Sequence, residues 1–468
     1  MSLCRILLVL LASVWIMSCE NEYFDLAIEN VQVFDAKTGR VVPAQTILIK
    51  GDRIGVIMDY GGTYRANQVI DGKGRLVTPG FIDTHIHLSS IFGVYEDSPE
   101  IIPPDSLDEW RQRVTDDYLP YGSTTLVEMG GPDEWMSATI GWQNNSLPHH
   151  SDLLVTGGAL ISDEEREPFR GHAEVADPVD ARRKVNEYAA MGVNHLKLYW
   201  RLRAPEMEAI MDEATKLGLV AYGHIDEGGV TIQDAMGMGV RHFEHLLATS
   251  TSIYSNEAHY QLMAYKYNLP PRLEGINEYL AFRILQFKFI RETPELHEAY
   301  MNLLRQMAKN GASLSTTIHL LASVLDGKTF FRTLAESSQP VDFEWLSRFD
   351  DELVKEVEEA FDISMDYLKQ AHDLGVNIRI GTDCQDGGKA LWSELLLLSQ
   401  HGFDMAEVLQ IATFNGAKAM KLEAEIGRIS PGKKANLVLF ERDPFANEQN
   451  LLSDKTVIKD GVLVYGEE

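Results

Sequence analysis

A short phrase recurs along the middle of the chain: a helical segment, a glycine, then an apolar run. It stands at Tyr121-Gly122 before STTLVEM, at Met191-Gly192 before VNHLKLY, at Leu217-Gly218 before LVAYGH and at Met238-Gly239 before VRHFEH. It returns at Asn310-Gly311 before ASLSTTIH and at Leu374-Gly375 before VNIRIGTD. Glycine closes a helix in the left-handed backbone region without steric cost, so the phrase reads as helix, stop, strand. Two more strands lack that entry, PGFIDTHIHL at 79–88 and DLLVTGGALI at 152–161, which brings the number to eight. Helical stripes lie between them. Val354, Val357, Phe361, Met365 and Leu368 step by three or four along one face, and Pro205 opens a helix whose stripe is Met207, Ile210, Met211, Ala214 and Leu217.

Eight strands alternating with helices predict an α/β fold, a parallel (β/α)8 TIM barrel over residues 79–423. An open doubly wound sheet is the competitor, but no Gly-x-Gly-x-x-Gly turn follows the first strand. Two stretches, about 248–300 and about 321–350, are too long for simple connections and rich in aromatics, among them Tyr254, Tyr260, Tyr265, Phe330 and Trp345. They predict helical insertions covering the active-site face, with plain packing of extra helices as the alternative. The flanks differ. Residues 23–78 carry DLAIENVQVFD, TILIKGDRIGVIM and QVIDGKGRLVT, and residues 424–468 carry ANLVLFERD and KTVIKDGVLVY. Apolar alternation split by Gly, Asp and Asn turns is an all-β pattern, and the two segments predict a small β-sandwich domain.

The first residues change the picture again. MSLCRILLVLLASVWIMSC has one positive charge, Arg5, before an apolar run from Ile6 to Ile16. That run is shorter than the ~20 residues a spanning helix needs and fits a signal peptide over 1–18. Ser18 directly before Cys19 resembles a bacterial lipoprotein processing site, with Cys19 lipidated and residues 19–22 a tether, although Met17 departs from the usual small residue. The expected location is therefore an exported, membrane-anchored lipoprotein, in the periplasm or on an outer-membrane face, touching the membrane only through the lipid. Simple secretion is the alternative. Only Cys384 would remain in the mature chain beside Cys19, so no disulfide framework is expected. The 468 residues carry 70 Asp and Glu against 42 Lys and Arg. This acidic excess argues against nucleic acid as partner, which needs a basic footprint.

Chemistry gathers where strands end. His85 and His87 are two apart on the first strand and point the same way. Lys197 stands on the fourth strand, His224 on the fifth, His245 on the sixth and Asp383 on the eighth. All lie toward the C-terminal ends, the catalytic face of such barrels. Imidazole and carboxylate suit zinc and neighbouring divalent ions.

The run VTPGFIDTHIHL, these later strand ends in order, TDCQDGG, ATFNGAKAM and EIGRISPGKKANLVLFERDP make the sequence similar to the amidohydrolase superfamily over nearly all of the mature chain. The resemblance is to its prolidase and imidazolonepropionase branch, and it implies a β-sandwich beside a metal-bearing barrel. It implies two zinc ions: His85 and His87 on one, His224 and His245 on the other, a CO2-derived carbamate on Lys197 between them, and Asp383 on the first. It further implies that a metal-activated hydroxide cleaves a C–N bond, with Asp383 as general acid and base, in a small amide or dipeptide. Burial of Lys197 agrees, since it favours the neutral amine that reacts with CO2. The alternative is a single-metal cyclic-amide hydrolase or deaminase, because Ile225-Asp226-Glu227 after His224 resembles the imidazolonepropionase and cytosine deaminase run, where the glutamate shuttles protons. An inactive binding lipoprotein is a more remote reading, and a homo-oligomer is compatible with all three.

Other residues are weighed by position. Tyr199, Arg201 and Arg203 follow Lys197 and are candidate substrate contacts, since an arginine there could hold a carboxylate. His319, ending the seventh strand, is another. His242 and His195 read as structural, and Cys384, pointing opposite to Asp383, as buried.

Overall fold

The computed structural model describes residues 23–93, 98–163, 171–226, 229–253, 257–269, 276–325 and 351–466. The leader, Cys19, Glu227 and the second insertion beyond Leu325 lie outside them. All six glycines of the helix–glycine–strand phrase have positive φ, from 65° at Gly311 to 105° at Gly239.

The N-terminal segment supplies β1 (Phe24–Asp35), β2 (Arg40–Lys50), β3 (Arg53–Asp59), β4 (Ala66–Asp71) and β5 (Leu76–Pro79). The α/β domain holds β6 (Phe81–Ile86), β7 (Ser123–Glu128), β8 (Asp152–Val155), β9 (Ala159–Ser162) and β10 (His172–Val175). It continues through β11 (His195–Leu198), β12 (Val220–Gly223), β13 (His242–Phe243), β14 (Ser313–Ser315) and β15 (Asn377–Arg379). The C-terminal segment adds β16 (Leu437–Phe440), β17 (Lys455–Lys459) and β18 (Val462–Tyr465).

The two terminal segments do join, as expected, but into one mixed sheet of eight strands. Its order is β18-β17-β16-β5-β1-β2-β3, with β4 also on β1. The long β1 makes this possible: β4 pairs with its first half and β5 with its second, both parallel. Leu26, Ile28, Val31, Ile47, Ile49, Leu437 and Ile458 form the sheet's apolar core. Lys459, fully buried, places its ammonium 3.1 Å from Asp152 of β8, which fastens this sheet to the α/β domain.

All pairings in the α/β domain are parallel, and the strands fall into a three-stranded sheet, β6-β7-β8, and a seven-stranded one, β10-β9-β11-β12-β13-β14-β15. Here the expectation of eight simple strands needs correction. The third, 152–161, is broken into β8 and β9, and β10 is an addition. The cause is Thr156-Gly157-Gly158. Gly157 has φ 70° and lies so close to Tyr188 that a Cβ would come within 2.8 Å of the ring. Tyr188 also accepts the Gly158 amide proton at 3.0 Å, which the ladder therefore loses. At the other junction the sheets meet through Thr84 N–H to Ile380 O at 3.0 Å and Asp383 N–H to His85 O at 2.9 Å.

The first insertion is helical, with helices Glu257–Lys266, Ile276–Glu292 and Pro294–Lys309. The stripe Val357, Phe361, Met365 and Leu368 is buried in helix Asp351–Leu374, and Met207, Ile210, Met211 and Ala214 in helix Ala204–Leu217. Leu217 is instead 42% exposed, because the helix ends there at the left-handed Gly218. Among the described residues no helix is long and apolar enough to cross a membrane.

Candidate metal centre and active site

The strand ends bring the six expected residues together. His85, on β6, is fully buried, with Nε2 3.3 Å from His87 Nε2, 3.5 Å from Lys197 Nζ and 3.6 Å from Asp383 Oδ1. Asp383 Oδ1 lies 3.1 Å from His87 Nε2, and its Oδ2 lies 3.6 Å from His245 Nδ1. The His245 and His224 rings meet edge to face at 4.5 Å. Two of these residues have unusual backbones: His245 has φ 61° and Asp383 φ 51°. Non-glycine residues in that region carry strain, which here turns both side chains aside from the strand direction into the shared pocket.

Electrostatics match the donor chemistry of a cation site. Burial pushes His85 down to about 4, with Lys197 adding to it, so its imidazole is neutral, the form that binds metals. His245 is also held well below its usual value, by burial and by His224. Burial opposes ionisation of Asp383, but His85 and His87 outweigh it and hold the carboxylate well below its ordinary range. Lys197 is 1% exposed, and burial lowers it to about 8. Among the described residues it makes no salt bridge: its amine faces His85 Nε2, and Glu244, Asp383 and Glu128 act on it as more distant charges. Burial also lowers His224, whereas at His87 burial is outweighed by the Asp383 carboxylate, which raises it. Three neutral imidazoles, a fourth held on an anionic carboxylate and a buried amine fit a divalent ion.

The sequence pattern marked neither Glu244 and Arg379 behind His85 nor Arg283 behind Asp226. Glu244 accepts from His85 Nδ1 at 2.6 Å, and the Arg379 guanidinium grips the other oxygen of the same carboxylate. All three are fully buried. Asp226 Oδ2 lies 3.4 Å from His224 Nε2, and Arg283 of the insertion helix Ile276–Glu292 holds Asp226 with two nitrogens, at 3.0 and 3.1 Å. A signal for the first set was present: Glu244 and Arg379 sit inside apolar strand runs, and buried opposite charges must pair. No local pattern links Asp226 to Arg283, 57 residues away.

A cavity of about 310 Å³ opens beside His224, His245 and Asp383, lined by Tyr199, Trp200, Leu246, Leu280, Leu320 and Arg283, among others. Tyr199 thus faces the site, its ring 5.0 Å from that of His224. The other expected contacts do not line the cavity among the described residues. Arg203 turns away and pairs with Glu206 at 2.8 Å while bonding the Asp163 carbonyl. Arg201 stacks on Trp200 at 4.5 Å and does not line the cavity. His319 lies on a helix past β14, completely buried, with Nδ1 on Ser393 Oγ at 2.8 Å, because Glu394 captures its amide and draws that turn inward. Glu227 lies outside the described residues. His242 bonds Ser313 and His195 bonds Tyr222, both structural as expected, and Cys384 is buried.

Among the described residues two groups have donor atoms within reach of one ion: His85, His87 and Asp383, and separately His372, Asp373 and Glu407. The second already holds the Lys369 ammonium between Asp373 and Glu407.

The chain matches the Amidohydrolase family over residues 76–264 and 290–464. The chain belongs to the amidohydrolase family. It is 39% identical to an adenine deaminase of Gluconobacter oxydans (strain 621H) over 107 residues, 23% of this chain and 15% of the deaminase. It is 35% identical to an imidazolonepropionase of Brevibacillus brevis over 102 residues, 20% of this chain and 24% of that enzyme. The chain thus spans about a quarter or less of these two curated relatives. A prolidase crystallised with N-methylphosphonate-L-proline shares the fold at a TM-score of 0.65, with 18% identity, covering 94% of this amidohydrolase and all of the prolidase.

Proposed function

We propose that this amidohydrolase cleaves the C–N bond of a small amide or dipeptide carrying an apolar group, with Asp383 moving the proton. The observation that supports this most is the place of Asp383, between His87 at 3.1 Å and His85 and His245 at 3.6 Å, anionic and at the cavity wall. His85, His87 and Asp383 would hold one ion, His224 and His245 a second, and Lys197, as its carbamate, would supply oxygen to both. Zinc suits this set. Such ions supply Lewis-acid polarisation of a carbonyl and lower the pKa of water to about 7. The chain's own residues do the rest. Trp200, Leu246, Leu280 and Leu320 seat the apolar part of the substrate and exclude water. Asp383 accepts a proton from the attacking water and passes it to the leaving amine nitrogen. The likeness of fold to a prolidase is compatible with a dipeptide.

The test is a screen of metal-loaded enzyme against dipeptides and N-acyl amino acids, beside Asp383→Asn. Turnover of an apolar dipeptide that Asp383→Asn abolishes with its metal retained would uphold the proposal. Full turnover in that variant would refute the role of Asp383. The segmental likeness to an adenine deaminase and an imidazolonepropionase favours a second reading, a single-metal deaminase or cyclic-amide hydrolase using Glu227. One ion per chain, no bicarbonate dependence and loss of activity in Glu227→Gln would select it. We propose further that the chain is exported and lipidated at Cys19. Labelled fatty acid should enter the full chain but not Cys19→Ala.

A further inference from the structure

We propose that the helical insertion is part of the metal centre: Arg283 fixes Asp226, and Asp226 fixes the ring of His224 for ligation. This rests on the proposed role of His224 and extends it. Arg283 is 1% exposed, and all five of its N–H donors have acceptors. Two go to Asp226, at 3.0 and 3.1 Å, one to the Tyr279 hydroxyl at 2.6 Å, one to the Leu247 carbonyl at 3.1 Å and one to Gln286 Oε1 at 3.1 Å. Gln286 is itself held by the Ser250 hydroxyl at 2.7 Å. A guanidinium saturated in this way has one geometry, and the paired carboxylate inherits it. Asp226 then presents Oδ2 to His224 Nε2 at 3.4 Å, leaving Nδ1 as the nitrogen free to ligate. A carboxylate behind a ligating imidazole sets its tautomer and orientation, and losing it typically costs about 10–100-fold in metal affinity. Arg283 and Asp226 are positioning residues, since they act through His224.

The test measures metal retained per chain during chelator competition, with circular dichroism to confirm folding. His224→Ala calibrates it: a variant that keeps its full metal overturns the ligand role and this inference together. If His224→Ala loses metal, Asp226→Asn and Arg283→Gln should each weaken retention about 10–100-fold. The double variant should be no weaker than Asp226→Asn alone, and added guanidinium ion should rescue Arg283→Gln but not Asp226→Asn. Wild-type retention in Asp226→Asn overturns the clamp while leaving His224 as ligand. So does an additive loss in the double variant. Should Arg283→Gln fail to fold, Asp226→Asn decides alone.

Discussion

Two histidines of the site are backed in the same manner by different parts of the molecule. His85 leans on Glu244 and Arg379, all three from strand runs and all fully buried. His224 leans on Asp226 and Arg283, with the arginine delivered by an insertion helix and Asp226 partly exposed. The same device therefore has a rigid and an adjustable version. The first cannot change without rearranging the strand layer, where packing leaves no alternative state. The second depends on how one helix docks, and that helix also lines the cavity through Tyr279, Leu280 and Arg283. The cavity thus opens on the side whose histidine is set from outside the strands.

The comparison can be broken most severely at the residue both sides share. Asp383→Asn should lower kcat about 10²–10⁴-fold with little change in KM, the loss typical of a proton-transfer group. Steady-state kinetics at confirmed metal content checks this, and a loss below tenfold would contradict it. Next come the two arginines. Arg379→Met leaves Glu244 charged and buried without its cation, which should cost about 3–5 kcal/mol. Arg283→Met leaves a carboxylate that water partly reaches and should cost less, about 1–3 kcal/mol. Urea melts of both metal-free variants give the order, and equal costs would remove the distinction between rigid and adjustable.

A third buried carboxylate sharpens the role of the cation. Arg379 overcomes the burial of Glu244 and keeps it well below the usual carboxylate range. Glu394 is as deeply buried, bonded to Thr316 and the His319 amide, and burial pushes it up to about 8. Between its ordinary 4.5 and 8 the folded chain keeps a proton that the unfolded chain has released. Stability should fall as pH rises through that window, by on the order of a few kcal/mol. Asp83 and Glu128, both raised by burial to about 7, act in the same sense, so Glu394→Gln should lessen the slope without removing it, as read from melts at pH 5 to 8. Glu244 acts in the opposite sense: its contribution is present above the unfolded value and lost as pH falls. The smallest effect belongs to Arg203→Ala. An ion pair with a half-exposed partner is worth about 0–1 kcal/mol, and kcat and KM should stay within about twofold.

How much was legible followed the range of the interaction. The glycine stops were local, and all six took positive φ. The convergence of the six polar residues was legible because strand ends in an α/β fold converge, whatever lies between them. The broken strand 152–161 was not, because only Tyr188, from a later helix, shows why its two glycines leave the ladder. His319 looked available at a strand end until Glu394 and Ser393 drew it inward. Arg203 looked like a substrate contact until Glu206, one turn on, took it.

Residue identity alone determined that imidazoles, a lysine and an aspartate stand toward the ends of five of the strands, since alternation and glycine stops act within a few residues. Which carboxylate stands behind His85, and which arginine holds each carboxylate, was decided only by folding. Glu244 lies 159 residues from His85 and 135 from Arg379, and Arg283 lies 57 from Asp226, and no nearest-neighbour preference reaches that far; Asp226, two residues from His224, is the local exception.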